Sequence, residues 1–264
     1  MPESSPVPER REPIRAALVC IPTYNERENL ATVIAGIRSS SPEVDVLVLD
    51  DNSPDGTGAL ADERSADDTQ VHVLHRTAKE GLGRAYLAGF AWGLERGYDA
   101  ILEMDADGSH RPEHLPALLA AAEDADVVIG SRYVRGGRVV NWPLRRKVLS
   151  VGGNAYTRIL LGMPVNDATA GFRIYRSGAL RQLDLDSVAS EGYCFQVDLT
   201  RRAVARGLVV REVPITFVER ELGDSKMNQD VASESLKRIT RWGVEHRATQ
   251  VRRLARREAR WHAL

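Results

Sequence analysis

The sequence contains little cysteine, no long apolar run and almost no net charge, and each of these absences excludes a class of protein. Its 264 residues include two cysteines, Cys20 and Cys194, too few and too far apart for a disulfide framework or a zinc knuckle. The longest apolar stretches, such as ALLAAA at 117–122, fall far short of the ~20 residues that span a bilayer. A formal net charge of −1 gives no general attraction to nucleic acid. We therefore expect a cytosolic protein that is not integral to a membrane.

The two ends of the chain differ in composition from its middle. Residues 1–15 mix Pro, Glu, Ser and Arg without the apolar core of a signal peptide, which predicts a disordered leader. Residues 16–230 are predicted to form a single catalytic domain, and 231–264 a basic helical segment with RRLARREAR near its end. Apolar residues such as Ile239 and Trp242 recur there near helical spacing. This pattern fits either a helix on an anionic membrane surface or a helix packed on the domain.

From residue 16 to about residue 132, short β-branched runs alternate with helical patterns. The runs are AALVCI, VDVLVLD, VHVLH, AILEM and DVVIG, and repeated strand and helix units predict a mostly parallel sheet in an α/β fold. The runs are continuously apolar, as expected for strands that helices cover on both faces. In open sheets of this kind, ligands bind outside the carboxyl ends of the strands. The polar residues at those ends therefore carry most of the functional information.

The second half of the chain is richer in glycine and basic residues. Its pattern predicts a helix over about 146–160, a strand at GFRIY, a helix near 195–205 and a further strand at VVREVPITFV. We interpret this half as a continuation of the same domain that builds the acceptor side.

The first strand run ends in IPTYNERENL. Asn25 followed by Glu28 resembles a capping box that opens a helix, which would place Pro22, Tyr24 and Glu26 on the loop from strand to helix. On that loop an aromatic ring can stack on a base and a carboxylate can accept protons from its amino group. The alternative is a helix cap with no role in binding.

The second strand run ends in Asp50 and Asp51, followed by the turn sequence NSPDGTG, with Thr57 placed to cap the next helix. An acidic residue at the end of a parallel strand can bind ribose hydroxyls. Adjacent strand residues point to opposite faces, so we expect one of the pair, Asp51, to reach a ligand. The alternative is that both carboxylates serve the turn.

The segment AILEMDADGSH places Asp105 and Asp107 directly after an apolar strand. Two carboxylates separated by one residue can converge on a hard divalent cation, whose preferred ligands are oxygens. A D-x-D pattern alone is common, but its place beside other acidic strand ends favours a metal site.

Other residues that could bind metals or phosphates receive simpler interpretations. The histidines at 75, 110 and 114 lack zinc-site spacing and are interpreted as solvated or locally hydrogen bonded. Cys20 lies in an apolar strand and is interpreted as an inert buried thiol. The glycines at 81 and 83 lack the dinucleotide fingerprint, although Lys79 nearby is a candidate for binding phosphate.

Nine segments together resemble one family. IPTYNERENL, VLDDNSPDGT, RTAKEGLGRAY, EMDADGSHRPE, GSRYVRGG, NWPLRRKVLS, GFRIYR, EGYCFQVDLT and EVPITFVERELGDSKM are similar to polyprenol (dolichol) monophosphate mannose synthases of glycosyltransferase family 2, especially the actinobacterial type. The resemblance covers about 19–242, and NWPLRRKVLS and FVERELGDSKM are its most specific parts. It implies a GT-A fold, GDP-mannose as donor, Mg²⁺ or Mn²⁺ as cofactor, and inversion at the anomeric carbon. It also implies a cytoplasmic enzyme, peripheral at the inner face of the membrane.

The resemblance also implies roles for individual residues. The nucleoside would be held by Pro22, Tyr24, Glu26 and Asp51. The metal and diphosphate would be lined by Asp105, Ala106 and Asp107. Some relatives have Gln where this chain has Ser109, so the assignment of Ser109 as a metal ligand stays open. The acceptor phosphate would be received by Arg132, Arg146 and Ser150, and a mobile loop closing over the donor would carry Arg220 and Lys226.

The acceptor implied by the resemblance is a phosphate monoester, whose second pKa of about 6 leaves it largely dianionic at neutral pH. An ionised nucleophile needs no strong general base, so Asp167, Glu191 and Asp198 are assigned structural or positioning roles. Three alternatives stay open at this point: a polyprenyl-phosphate glucosyltransferase, a nucleotidyltransferase, and a module that binds nucleic acid through RRLARREAR.

Overall fold

The computed structural model describes residues 11–188, 192–219, 236–245 and 247. The strands are β1 (Ala17–Thr23), β2 (Asp45–Asp50), β3 (Val71–His75), β4 (Ala100–Glu103), β5 (Val127–Ser131), β6 (Arg138–Val140), β7 (Arg173–Arg176), β8 (Val210–Pro214) and β9 (Thr216–Val218). The α-helices are α1 (Arg27–Ser40), α2 (Thr57–Asp67), α3 (Leu82–Glu95), α4 (Leu115–Ala122), α5 (Leu144–Leu161), α6 (Ser177–Leu180) and α7 (Tyr193–Ala205). Short 3₁₀ turns lie at Pro112–His114 and Leu185–Ser187, and residues 236–245 are helical.

The main sheet has seven strands in the order β3-β2-β1-β4-β7-β5-β8. Strands β1 to β4 are mutually parallel where they pair, β8 is parallel to β5, and β7 runs antiparallel between β4 and β5. The predicted mostly parallel sheet is therefore confirmed. The segment VVREVPITFV forms two strands instead of the single one predicted. Pro214, which has no N–H to donate, ends β8, and β9 then pairs with β6 in a separate two-stranded sheet.

Helices cover both faces of the main sheet, which explains the continuously apolar strands. Along β1, Val19 and Ile21 pack into a core cluster with side chains of α1 and α4, while Leu18 and Cys20 pack on the opposite face with side chains of α3 and α7. The thiol of Cys20 is fully buried, as predicted. Helix α3 lies very close to the sheet, because a Cβ at Gly89 would lie 2.8 Å from the Sγ of Cys20.

The helix starts differ in detail from the predictions. The predicted capping box of Asn25 and Glu28 is wrong, because Asn25 adopts a left-handed conformation (φ 58°) and Glu26 is the residue that precedes α1. Thr57 is the first residue of α2 and not its cap, since Gly56 precedes the helix with φ 88°. In the described part of the chain, neither Glu26 nor Gly56 makes a side-chain capping hydrogen bond. The carboxylate of Asp55 instead accepts from the backbone N–H of the first residue of each helix, Arg27 in α1 and Thr57 in α2.

The described residues at both ends of the chain lie against the domain. Arg11 forms an ion pair of 3.0 Å with Asp126, and Ile14 packs against the core, so 11–15 are held in place where the sequence predicted disorder. Near the other end, Ile239 and Trp242 pack with the apolar ends of α5 and α7, which is the domain-packed alternative for these two residues. The rest of the predicted basic segment, apart from 236–245 and 247, lies outside the described residues.

A buried polar cluster lies beneath the carboxyl end of β4. The guanidinium of Arg173, fully buried, donates to the carbonyls of Ala168 and Ala170, among other acceptors. Close by, the side-chain amide of Gln196 donates to the carboxyl group of Glu103 at 2.7 Å. Burial raises the pKa of Glu103 to about 8, although the charge of Arg173 opposes the shift.

The titration of Glu103 should make folding stability depend on pH. Its pKa in the folded protein, about 8, lies above its ordinary value of 4.5. The contribution of the neutral Glu103 carboxyl group to the free energy of unfolding is therefore fully present below pH 4.5 and is lost as the pH rises through 8. Glu103→Gln cannot ionise. The free energy of unfolding of the wild type should therefore fall relative to this variant by on the order of a few kcal/mol across that range.

Urea denaturation of both proteins across this pH range measures the difference. Glu95→Gln changes an exposed carboxylate on α3 and should keep the pH slope of the wild type. If the free energies of unfolding of the wild type and Glu103→Gln change in parallel with pH, Glu103 is ionised in the folded protein over the whole range, which contradicts the prediction.

Candidate active site

The ends of four strands bring the predicted donor residues to one edge of the sheet. Because β1, β2, β3 and β4 are parallel neighbours, their carboxyl ends lie side by side, with Thr23 opposite Asp50 and Asp50 opposite His75. The residues that follow these strands therefore form the rim of a single site. This is the position where open α/β sheets bind their ligands.

The two acidic residues at the end of β2 have different partners. Asp50 accepts hydrogen bonds from Thr23 and from the hydroxyl of Ser53, so it holds the turn. Asp51 forms an ion pair with Arg76, whose second amino group donates to Glu80 at 2.7 Å. Burial raises the pKa of Asp51, and Arg76 opposes that shift. Asp51 is thus the member of the pair that faces away from the turn.

The residue that follows β1, Tyr24, presents an aromatic ring to a lysine. The ammonium of Lys79 lies 4.1 Å from the centroid of the Tyr24 ring, a cation–π contact. The carboxylate of Glu26 accepts a hydrogen bond of 3.1 Å from Asn29. Pro22 lies within β1 and not on the following loop as predicted. The pairing of β1 with β4 ends at Cys20. Pro22, which has no backbone N–H, therefore removes no hydrogen bond between these two strands.

The loop after β4 carries the predicted metal ligands. The hydroxyl of Tyr86 donates to Asp105 at 3.3 Å, and the carboxylate of Asp107 accepts from the backbone N–H of Ser109 at 3.0 Å. Ala106, between them, is buried in the core. The Oγ of Ser109 is buried and has no hydrogen-bond partner among the described residues.

This set of oxygens fits a hard divalent cation. Two carboxylates and an unsatisfied hydroxyl are ligands that Mg²⁺ and Mn²⁺ accept. Within the described residues, no three His, Cys, Asp or Glu side chains form a complete metal site. A bound cation would therefore need further oxygens from a diphosphate or from water, which is usual for a magnesium ion in a nucleotide site.

His110 connects this loop to the second half of the chain. Its Nδ1 accepts a hydrogen bond of 3.0 Å from the backbone N–H of Asp105. Its ring stacks on Phe172 at 5.1 Å between centroids and meets the edge of Phe217 in β9 at 5.5 Å. The other two discussed histidines are also locally bonded: His75 to Asp62, and His114 to the N–H of Thr216.

Arg132, which follows β5, lies in a buried ion pair. Its Nε and Nη2 donate to the carboxylate of Asp167 at 2.7 and 2.6 Å, and its backbone N–H donates to the same carboxylate at 2.9 Å. Asp167 is fully buried, and its backbone N–H donates to Glu212. Asp167 therefore has the structural role predicted for it, and its partner is a predicted acceptor residue.

The other predicted acceptor residues lie on α5 beside this pair. Arg146 forms an ion pair with Glu219, and its guanidinium lies 4.3 Å from the centroid of the Trp142 ring. The hydroxyl of Tyr133 donates to the Oγ of Ser150 at 2.7 Å. Rings also surround Arg132, whose guanidinium carbon lies between 5.2 and 5.6 Å from the centroids of Tyr133, Trp142 and Phe217. The result is a cluster of two arginines among aromatic side chains.

Three predicted residues lie outside the described part of the chain: Arg220 and Lys226 on the expected mobile loop, and Glu191. The remaining predicted residues form two groups, one at the strand ends and one around α5. The contacts of His110 join them, because that ring touches both the loop after β4 and β9.

Sequence reasoning missed several residues of the site. Arg76, which forms an ion pair with Asp51, directly follows β3. The rule that polar residues after the strand ends line the ligand site was therefore sufficient to find it. Trp142 and Glu219, which contact Arg146, gave no such signal. Their partner lies on another element, and Glu219 is 73 residues away from it in sequence.

Comparison with known proteins bears on the family and the fold. The family model described as Glycosyl transferase family 2 matches residues 18–184. The undecaprenyl-phosphate mannosyltransferase of Micrococcus luteus is 58% identical over 230 residues, 87% of this chain and 95% of that protein. The polyprenol monophosphomannose synthase of Mycolicibacterium smegmatis is 56% identical over 246 residues, 92% of this chain and 93% of that protein.

Solved structures share the architecture at much lower identity. Glucosyl-3-phosphoglycerate synthase from Mycobacterium tuberculosis in complex with UDP has a TM-score of 0.62 and 18% identity, covering 88% of this chain and 80% of that chain. The same enzyme with Mn²⁺ and UDP-glucose has a TM-score of 0.62 and 19% identity, covering 88% and 79%. At this identity the likeness establishes the fold alone. The predicted GT-A fold, a single α/β domain, is confirmed.

The buried ion pair predicts a large cost for removing one partner. Arg132→Ala would leave the carboxylate of Asp167 buried without its cation, so the free energy of unfolding should fall by about 3–5 kcal/mol. Arg211→Ala removes an exposed ion pair with Asp124 and should cost less than about 1 kcal/mol. Urea denaturation measures both values. Equal, small losses would mean that the Arg132 pair is weak despite its burial.

Proposed function

The chain belongs to glycosyl transferase family 2, and on that basis we propose that it transfers mannose from GDP-mannose to a polyprenyl phosphate. The products would be polyprenyl monophosphomannose and GDP, with inversion at the anomeric carbon. The proposal draws on the two mannosyltransferases of 58% and 56% identity, which match nearly their whole length. It also draws on the chemistry of the site.

One observation carries the proposal: a cluster of arginines lies beside an edge of carboxylates. The carboxylate loop of Asp105 and Asp107 suits a cation bound to a diphosphate, and the cluster around Arg146 suits a second anion. His110 touches the first group through Asp105 and the second through Phe217. A site for two anions fits the transfer of a sugar from a nucleotide diphosphate to a phosphate.

The metal would be held by Asp105 and Asp107, with the unsatisfied hydroxyl of Ser109 as a third oxygen. When bound, Mg²⁺ or Mn²⁺ supplies positive charge that stabilises the departing diphosphate. Ala106 keeps the loop fixed, because its side chain is buried in the core between the two carboxylates. The hydroxyl of Tyr86 orients Asp105 from below.

The acceptor side of the site has to bring the anionic phosphate of the lipid towards the anionic diphosphate of the donor. A phosphate monoester is already ionised, so the site needs no strong general base, and its main task is to neutralise charge. Arg146 and Ser150 are the residues placed for direct contact, since both lie on the partly buried side of α5. To bind phosphate, Arg146 has to exchange or share its contact with Glu219. The guanidinium of Arg132 is held by Asp167, so its positive charge would act on the acceptor phosphate from a fixed position.

The nucleoside would be bound by Pro22, Tyr24, Glu26 and Asp51. Two cations lie against these residues in this structure: Lys79 over the Tyr24 ring and Arg76 on Asp51. A bound base would stack where Lys79 lies, and a ribose would share Asp51 with Arg76. Both cations would then stand near the diphosphate, in keeping with the expectation that Lys79 binds phosphate. Arg220 and Lys226 are proposed to close over the donor.

We also propose a cytoplasmic enzyme, peripheral at the inner face of the membrane, because a polyprenyl acceptor is held in lipid. Among the described residues, none of the helices combines the length and hydropathy needed to cross a bilayer.

The direct test is transfer by the purified protein, with labelled GDP-mannose, GDP-glucose and UDP-glucose offered alongside a polyprenyl phosphate. We expect a mannosyl phospholipid and free GDP from GDP-mannose alone. Transfer from a glucose donor would support the glucosyltransferase alternative. In a parallel reaction with GTP and mannose 1-phosphate, release of pyrophosphate would point to a nucleotidyltransferase, and either result would reject the proposal.

Asp107→Ala should abolish turnover and also remove the tightening of GDP binding by metal, because the cation links this carboxylate to the diphosphate. Calorimetric titration of GDP with and without Mg²⁺ measures the second effect without any turnover. Asp67→Ala, at an exposed position on α2, is the matched control and should behave as the wild type. The metal assignment fails if Asp107→Ala keeps the full dependence on Mg²⁺.

Arg146→Ala should weaken the acceptor reaction without weakening GDP binding. Loss of a charge-assisted contact should lower acceptor kcat/KM by about 2–4 kcal/mol of transition-state stabilisation. Arg146→Lys keeps the charge but loses the planar fork, so it should recover part of that loss.

Tyr24→Ala and Asp51→Ala should show the opposite pattern, with weaker GDP binding and largely unchanged recognition of the lipid phosphate. GDP titration beside acceptor kinetics compares the variants. A loss of GDP affinity in Arg146→Ala as severe as in Asp51→Ala would reject the division of the site.

A further inference from the structure

Helix α5 exposes apolar side chains on the side that faces away from the domain. Leu144, Val148 and Ile159 are 75%, 63% and 66% exposed, and Val151 is also exposed. In chain order these four residues are separated by four, three and eight residues, so they lie along one line of the helix, which we call the outward face of α5. Six of the ten large apolar side chains that are exposed in the described part of the chain belong to this one helix.

The opposite side of the same helix belongs to the site. Asn154, Thr157 and Leu161 are buried against the domain, and Ser150 is partly buried. Asn154 donates to the hydroxyl of Thr169, which also accepts from Arg132. The helix therefore has one side fixed in the acceptor cluster and the other presented to the surroundings.

The charge of α5 has a single sign. Its sequence contains four basic residues and no acidic one. Arg145, Lys147 and Arg158 are exposed, and at 100° per residue they lie on either side of the outward face. Cations flanking an exposed apolar line are the pattern of a helix that lies on an anionic lipid surface.

The helical residues near the chain end leave this face open. Tyr156 of α5 accepts or donates a hydrogen bond of 2.9 Å with Thr240, and Gly243 lies against Leu160. Residues 236–245 thus run along the flank of α5, where Ile239 and Trp242 pack into the domain while Leu236 and Val244 are exposed. The outward face stays exposed beside them.

We propose that the outward face of α5 docks on the surface of an anionic lipid bilayer, so that the membrane meets the protein on the helix that carries Ser150 and Arg146. The inference rests on the proposed function for the identity of the acceptor. The docking surface itself follows from exposure, helical spacing and charge. Its apolar residues enter the boundary between headgroups and acyl chains, and its basic residues bind the anionic headgroups.

Sedimentation with vesicles tests the docking surface directly. The full-length protein is mixed with vesicles of phosphatidylcholine, or of phosphatidylcholine and phosphatidylglycerol in equal parts. We expect binding to the anionic vesicles and weaker binding to the neutral ones. Val148→Asp combined with Ile159→Asp should lower partitioning into the anionic vesicles at least about tenfold, because each change removes buried apolar area and adds repulsion.

Thr32→Asp combined with Ala35→Asp adds the same charge at exposed positions on α1 and is the matched control. It should bind vesicles almost as the wild type does. Val148→Ser combined with Ile159→Ser leaves the charge unchanged and should still weaken binding, which separates the apolar contribution from repulsion. Equal binding by the wild type and the α5 variants, or no binding by the wild type, would overturn the proposal.

Measurements of transfer activity with two acceptors distinguish the docking proposal from the proposed function. With a short prenyl phosphate dispersed in water, the α5 variants should react as fast as the wild type, and with a long polyprenyl phosphate in anionic vesicles they should react more slowly. Slow reaction of the variants with both acceptors would mean that the changes damage the site, which contradicts a docking role. If the wild type transfers to neither acceptor, the proposed function fails, and the vesicle measurement still decides whether the face docks.

Discussion

The second half of the domain depends on a carboxylate that has no access to water. Asp167 accepts three hydrogen bonds from Arg132, while its backbone N–H is held by Glu212 of β8. A buried charge is tolerated only when it is paired and hydrogen bonded, so the elements that supply these partners have no freedom to move apart. The end of β5, the middle of β8 and the middle of α5, through Asn154, are joined in this way.

This constraint fixes the position of one of the two arginines beside the site. Arg132 is fixed by Asp167, and aromatic rings occupy the space around its guanidinium. Arg146 has a partner that is easier to exchange, because Arg146 and Glu219 are each about a quarter exposed. One cation is thus permanent and the other is available for exchange, a combination suited to receiving an anion without repacking the core.

The sequence was most informative where a function depends on local order along the chain. An acidic residue directly after an apolar strand run marks a strand end, so Asp51, Asp105 and Asp107 could be placed at the rim before the structure was known. Backbone details were less accessible. The left-handed Asn25 made the capping-box pattern misleading, and the division of VVREVPITFV at Pro214 depended on which neighbouring strand each half found. Partners distant in sequence, such as Glu219 for Arg146, follow only from the packed fold.

The uninterrupted length of α5 has a geometric consequence for the lipid. Because a helix with its side chains is about 10–12 Å across, the separation between the outward face and Ser150 on its other side is set by the helix itself. In the proposed docking, a phosphate that binds Ser150 would therefore be met at one fixed height relative to the membrane plane. Selection among lipids would then act on how far a headgroup can rise out of the bilayer, and the length of the hydrocarbon tail beneath it would contribute little.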